Sequence, residues 1–180
     1  MKLINVTTPV FIPATAANIV QFNPYTSVAS NSAPLNINGA ALDRWRGGVL
    51  APNGNVICIP FGQAGPNSNV GVFNPTAGTF SNVVIGCPAS SFFGGCLLPT
   101  GNVVMTPFNS ANVGMFDTFT STYSNSSAVS APGISQYAGC SIIPDGRVVF
   151  TPFASGNVGV LNTLTPAPIE FCLAPYFNKL

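Results

Sequence analysis

The side chains able to do chemistry are few in this 180-residue chain, and their scarcity already narrows the function. There are five Lys and Arg, four Asp and Glu, and no His. Acid–base or nucleophilic catalysis needs a base, a nucleophile and a charge stabiliser within mutual reach, so the carboxylates must be weighed one by one. Asp145 lies in the turn sequence "PDG", and Asp117 ends "NVGMFD" where sister segments carry Asn74 and Asn162, so both read as turn residues. Asp43 adjoins Arg44, where a local ion pair accounts for it, and Glu170 stands alone before a short apolar run. No two carboxylates are paired as a glycosidase requires, and no Cys, His or carboxylate cluster has metal-ligand spacing. "RGG" and "FGG" lack the Lys-Ser/Thr and helix that make a phosphate loop. The expectation is no catalytic residue, no cofactor, no metal, and hence not an enzyme. The five cysteines, Cys58, Cys87, Cys96, Cys140 and Cys172, read as small buried apolar residues in a reducing compartment.

One cluster stands out, "LDRWRGG", with the single Trp between two arginines. Arg44, Trp45 and Arg46 together offer an aromatic face flanked by guanidinium forks, which suits a sugar or a partner carboxylate. The competing reading is that Trp45 fills an aromatic slot shared with Phe92 and Tyr137 while the arginines alternate toward solvent.

What must position these residues is read from composition and pattern. Charged residues are 5% of the chain, against about 25% in an ordinary soluble domain. With a net charge of +1 and no basic cluster, neither nucleic acid nor an anionic membrane is an expected partner. The apolar runs are broken well short of a membrane span, and "MKLINVTTPVFIP" lacks the apolar core of a secretory signal. A surface so poor in charge is expected to be covered by neighbours.

Three near-copies give the organisation: "VLAPNGNVICIPF", "CLLPTGNVVMTPF" and "SIIPDGRVVFTPF", recurring about every 45 residues, a repeat-architecture period. Each opens on an aromatic, one residue and Gly (Trp45 to Gly47, Phe92 to Gly94, Tyr137 to Gly139), then an apolar first strand. Asn53-Gly54 and Asp145-Gly146 predict tight type I′ hairpins, with Thr100-Gly101 a poorer fit. A second strand ends at Pro60, Pro107 or Pro152 because proline has no ladder donor. "NVGVFNP", "NVGMFDT" and "NVGVLNT" predict a third strand, and "TFSNVVI" and "STYSNSSAV" an outer fourth. At the N-terminal side "FIPATAANIVQFNP" matches second and third strands without a first. At the C-terminal side "CLAP", Cys172 to Pro175, matches the first strand "CLLP" without a second.

The expectation is therefore an all-β single domain over 1–180 with units 1–40 plus 170–180, 41–87, 88–131 and 132–169. It is a small four-bladed β-propeller closed by N- and C-terminal strands, with a β-sandwich as the alternative. The chain resembles propeller repeats, loosely the kelch type in unit length, without the Trp-Asp pair of WD40 blades or the kelch Gly-Gly pattern. "LLPTGNVVMTPFNSANVGMFD" also resembles repeats of structural proteins of tailed bacteriophages and other large viruses. That resemblance implies a virion component, a capsid decoration, minor capsid or tail-associated subunit assembled in a host cytoplasm, with other virion proteins and copies of itself as partners. A small glycan-binding propeller using Trp45, Phe92 and Tyr137 is the alternative. A repeat enzyme working through Asp43 with Arg44 or Arg46 is third.

Overall fold

The aromatic-x-Gly triplets become the architectural device of the fold. In the computed structural model, which describes residues 8–31, 44–62, 68–128 and 133–163, they open strands β4 (Trp45–Leu50), β8 (Phe92–Leu97) and β12 (Tyr137–Ile142). In all three the pairing register slips between the aromatic and the residue three further on. This is a β-bulge, and Gly47, Gly94 and Gly139 take the positive φ at it. The missing side chains also let the inner strands converge: a Cβ on Gly47 would stand 3.8 Å from the Gly94 Cα, and one on Gly94 3.8 Å from the Gly139 Cα.

Around these strands the described residues form four antiparallel sheets. The first holds β1 (Val10–Phe11), β2 (Val20–Asn23) and β3 (Val28–Asn31). The second runs β4, β5 (Val56–Pro60), β6 (Asn69–Asn74) and β7 (Thr79–Val84). The third runs β8, β9 (Asn102–Pro107), β10 (Asn112–Asp117) and β11 (Thr122–Ala128). The fourth holds β12, β13 (Val148–Pro152) and β14 (Gly159–Leu161). Within each sheet the strands follow chain order, as short hairpin connections require.

The hairpin between first and second strands differs from the type I′ expectation. Gly54, Gly101 and Gly146 have positive φ, whereas Asn53, Thr100 and Asp145 do not. The Gly54 N–H donates to the Ala51 carbonyl at 2.9 Å and the Ala51 N–H to the Asn55 carbonyl at 2.8 Å. That is a three-residue loop, a type I turn followed by a left-handed glycine. Pro52, Pro99 and Pro144 impose it, since proline presets φ at the second turn position. It also explains why Thr100 serves as well as Asn53: only the glycine must be left-handed.

The core lies between sheets. Along β5, Val56 and Cys58 face the first sheet, packing with Ile19, Trp45 and Phe73, while Ile57 and Ile59 face the third, packing with Phe92, Val103, Met105 and Phe116. Leu98, Val104 and Val113 of the third sheet meet Tyr137, Val148, Phe150 and Leu161 of the fourth. The two-residue period thus serves two interfaces at once, which is why second strands read as unbroken apolar runs. A sheet covered on both faces does not fit a two-layer sandwich. Third-strand glycines make room for the aromatics: a Cβ on Gly71 would meet Phe80 at 2.6 Å, on Gly114 Phe92 at 2.8 Å, and on Gly159 Tyr137 at 2.9 Å. The expected closure of the ring by the strand at Cys172 to Pro175 lies outside the described residues.

Candidate functional site

A phenylalanine follows β5, β9 and β13; its N–H extends the pairing within its own sheet, and the Phe61 and Phe108 carbonyls accept from Ser90 and Gln136 of the next unit. The Phe61, Phe108 and Phe153 N–H groups donate to the carbonyls of Arg44, Ser91 and Gln136 at 2.8, 2.8 and 2.9 Å. The Phe108 carbonyl accepts from Gln136 N–H at 2.8 Å, so the seam passes from the third sheet to the fourth. Arg44 N–H continues it to Ala14 of the first sheet at 2.7 Å. On this end of the molecule the rings make a ridge: Phe61, Phe93, Phe108 and Phe153 follow one another with 5.5 Å between centroids.

The cluster singled out in the sequence divides across this geometry. The Arg46 guanidinium carbon lies 5.1 Å from the Phe61 centroid and 5.6 Å from that of Phe93, a cation–π arrangement. Arg46 therefore lies half-buried on the ridge. Trp45 is on the other side of the strand and only 1% exposed, edge-on to Phe80 at 5.3 Å. Phe92 and Tyr137 fill the same slot in their sheets and are also buried, so the three rings face sheet interfaces. Arg44 contributes its backbone to the seam. Asp43 and Glu170 lie outside the described residues.

The remaining titratable groups have local explanations. Asp117 caps the turn after β10, accepting N–H bonds from Phe119 at 2.8 Å and Thr120 at 3.0 Å. The bonds from Thr120 and Phe119 hold its carboxyl below the usual value. Asn74 and Asn23 make the same turn with their amide oxygens. Asp145 pairs with Arg147 at 2.6 Å, which holds its carboxyl low. Burial pushes the Cys58 thiol far up. Cys96 and Cys140 face each other across the third and fourth sheets; their mutual hydrogen bond raises the Cys96 thiol and lowers that of Cys140. Among the described residues no three His, Cys, Asp or Glu side chains gather as a metal site.

Two further features are surfaces. The outward face of the fourth sheet repeats positions buried elsewhere: Val158 is 58% exposed, whereas its counterparts Val70 and Val113 are 0% and 4% exposed. Val160 on the same face is also exposed. On the outward face of the first sheet, Phe11 is 57% exposed where its counterpart Cys58 is 0%. Between the first and second sheets lies a groove of ≈ 900 Å³, walled by Val10, Phe11 and Ile12 on one side and Gly47, Gly48 and Leu50 on the other. The sequence reading missed the ridge because it took each Pro only as a strand end; the recurrence of Phe after it was the available signal.

No family model and no curated protein matches the sequence. Solved structures match in fold. Virginiamycin B lyase from Staphylococcus aureus superposes with a TM-score of 0.70 at 12% identity, covering 86% of this chain and 48% of its own. A catalytically inactive histidine-to-alanine variant of virginiamycin B lyase from the same organism, with quinupristin, gives 0.61 at 17% identity, covering 86% and 51%. An auxiliary nutrient binding protein from Bacteroides ovatus gives 0.63 at 12% identity, covering 87% and 35%. The chain spans about half or less of the structures it matches. These neighbours establish a propeller-like, repeat all-β fold, and none of the three is a virus-particle protein. They also correct the expectation that the chain is not an enzyme: the same scaffold carries a lyase as well as a binding protein, so a charge-poor composition does not separate the two.

Proposed function

We propose that this chain is a structural assembly subunit, a component of a larger particle of the virion kind its repeats resemble, which works by packing its sheet faces and aromatic ridge against neighbours. One observation carries this reading. The positions that form the inter-sheet cores recur, still apolar, on the outward faces of the first and fourth sheets, where Phe11, Val158 and Val160 are exposed. An apolar face of core composition is a surface made to be covered. The closure of the first sheet by the C-terminal segment belongs to the same reading, since the pattern that makes first strands elsewhere occurs at Cys172 to Pro175.

The lyase neighbour contributes scaffold to this reading. With 5% charged residues, contacts to neighbours are apolar and backbone in kind, and therefore insensitive to salt. The test is copurification. Mass spectrometry of intact particles from the source should find the chain at fixed stoichiometry, retained through a high-salt wash. Particles lacking it, together with a purified chain that stays monomeric, would overturn the proposal.

A further inference from the structure

The interface between the third and fourth sheets departs from its two sister interfaces at one slot. The residue after the aromatic-x-Gly triplet is Gly48 in β4 and Gly95 in β8, but Cys140 in β12. A Cβ on Gly48 would meet Ile12 at 2.7 Å, and one on Gly95 would meet Ile59 at 3.1 Å. In both units a large side chain of the preceding unit fills the space, and glycine fits opposite it. At the third interface the residue in the place of Ile12 and Ile59, immediately before a proline, is Thr106. Its smaller side chain admits the Cys140 sulfur. Thr106 is 0% exposed and its hydroxyl lacks a hydrogen-bond partner in the reduced protein, a cost that is offset where the group serves another state of its neighbour.

Cys96 stands across the same interface. Gly95 faces Ile59 of the second sheet, so alternation along β8 turns Cys96 toward the fourth, where it packs with Leu98, Val104 and Tyr137 beside Cys140. The inner strands β8 and β12 lie side by side and come closest just before the cysteines, a Cβ on Gly94 standing 3.8 Å from the Gly139 Cα. The two thiols hydrogen-bond to each other, and both are half-buried, within reach of a small solute. We propose that Cys96 and Cys140 are a reversible thiol–disulfide site that joins the third and fourth sheets covalently, with hydrogen peroxide as the oxidant and Thr106 positioning the attacking sulfur. The Cys140 thiolate attacks the peroxide: an S–O bond forms, the O–O bond breaks, and the leaving hydroxide takes up the proton that the thiol released. The Cys96 sulfur then attacks the sulfenic sulfur: the S–S bond forms, the S–O bond breaks, and hydroxide leaves with the Cys96 proton as water. Two thiols and one peroxide thus give one disulfide and two waters. Cys140 is the attacking sulfur because the Cys96 hydrogen bond, against burial and with Thr106 adding to it, lowers its thiol, while the same pairing raises that of Cys96.

The experiment is peptide mapping of the full-length wild-type chain. Reduced protein treated with near-equimolar hydrogen peroxide and digested with pepsin without reductant should yield the Cys96 and Cys140 peptides joined within one chain, two hydrogens lighter than the separate pair and parted again by dithiothreitol. The oxidised protein should melt roughly 4–16 °C above the reduced one, the gain expected of a bridge closing a long loop in a chain of this size. Thr106→Val should slow the loss of free thiol several-fold while Thr106→Ser retains the wild-type rate, a split that a packing role alone would not produce. Cys96 and Cys140 left free under conditions that oxidise glutathione would overturn the proposal. So would Cys140 carried on to sulfinic acid without a bridge, or a bridge from either residue to any other cysteine. An unchanged rate in Thr106→Val would overturn the part given to Thr106. Because the mapping is made on the wild-type chain, it decides the disulfide itself even where a variant fails to fold.

Discussion

Gly114 offers the sharpest test of how the repeat is packed. Alanine there would place a Cβ 2.8 Å from Phe92 Cζ, 2.9 Å from Phe92 Cε1 and 3.2 Å from Tyr123 Cε2. Neither direction is easy for the Phe92 ring to yield. It is 0% exposed, enclosed by Val103, Met105 and Phe116 in the core between the second and third sheets, and edge-on to Tyr123 at 6.2 Å. Overpacking a closed site of this kind costs about 1–3 kcal/mol. For a chain of this length that lowers the melting temperature by roughly 2–12 °C. Gly156→Ala is the control, because a Cβ there meets nothing within 4 Å. Thermal and urea unfolding followed by circular dichroism measure both. In a double-mutant cycle Phe92→Leu should relieve part of the Gly114→Ala cost, since shortening the ring removes the clash. A Gly114→Ala protein within about 0.3 kcal/mol of wild type, or strict additivity with Phe92→Leu, would refute the ring-over-glycine account.

Two further outcomes follow from the titratable groups. Cys58 is 0% exposed and its thiol is pushed up by burial, so it should resist iodoacetamide in the native chain and react only on unfolding, as read by mass spectrometry of labelled peptides. Asp117 is held low by Thr120 and Phe119 N–H bonds. Its stabilisation is present above the ordinary carboxylate value of about 4 and is lost as pH falls through the lower native value. Asp117→Asn keeps an acceptor oxygen, as Asn74 does, so it should leave stability at neutral pH unchanged and flatten the acid side of the stability–pH curve.

Much of the fold was legible because the same physical constraint recurs in each unit. The aromatic-x-Gly triplet, the Pro-x-Gly loop and the Asn-Val-Gly third strand each require a glycine, and each requirement is visible as a repeated letter. The expected outer strands at "TFSNVVI" and "STYSNSSAV" are β7 and β11. The turn type was not legible from Asn-Gly alone, since Pro52 one position earlier selects a different loop. The half-burial of Arg46 was hidden because the rings it rests on, Phe61 and Phe93, come from other strands' ends. Trp45 could be assigned to a slot by repetition, but its burial depends on the neighbouring first sheet. Enzyme or non-enzyme was never decidable from a shortage of charge, because it is the scaffold that the lyase and the nutrient-binding protein share.

The central claim is that the exposed apolar sheet faces are made to be covered by other subunits. Light scattering of the full-length chain across a concentration series, at low and at high salt, tests it most directly. The account predicts a discrete oligomer whose mass and midpoint concentration are unchanged by salt. A chain that remains monomeric at the highest concentration, or an association that salt dissolves, would contradict it.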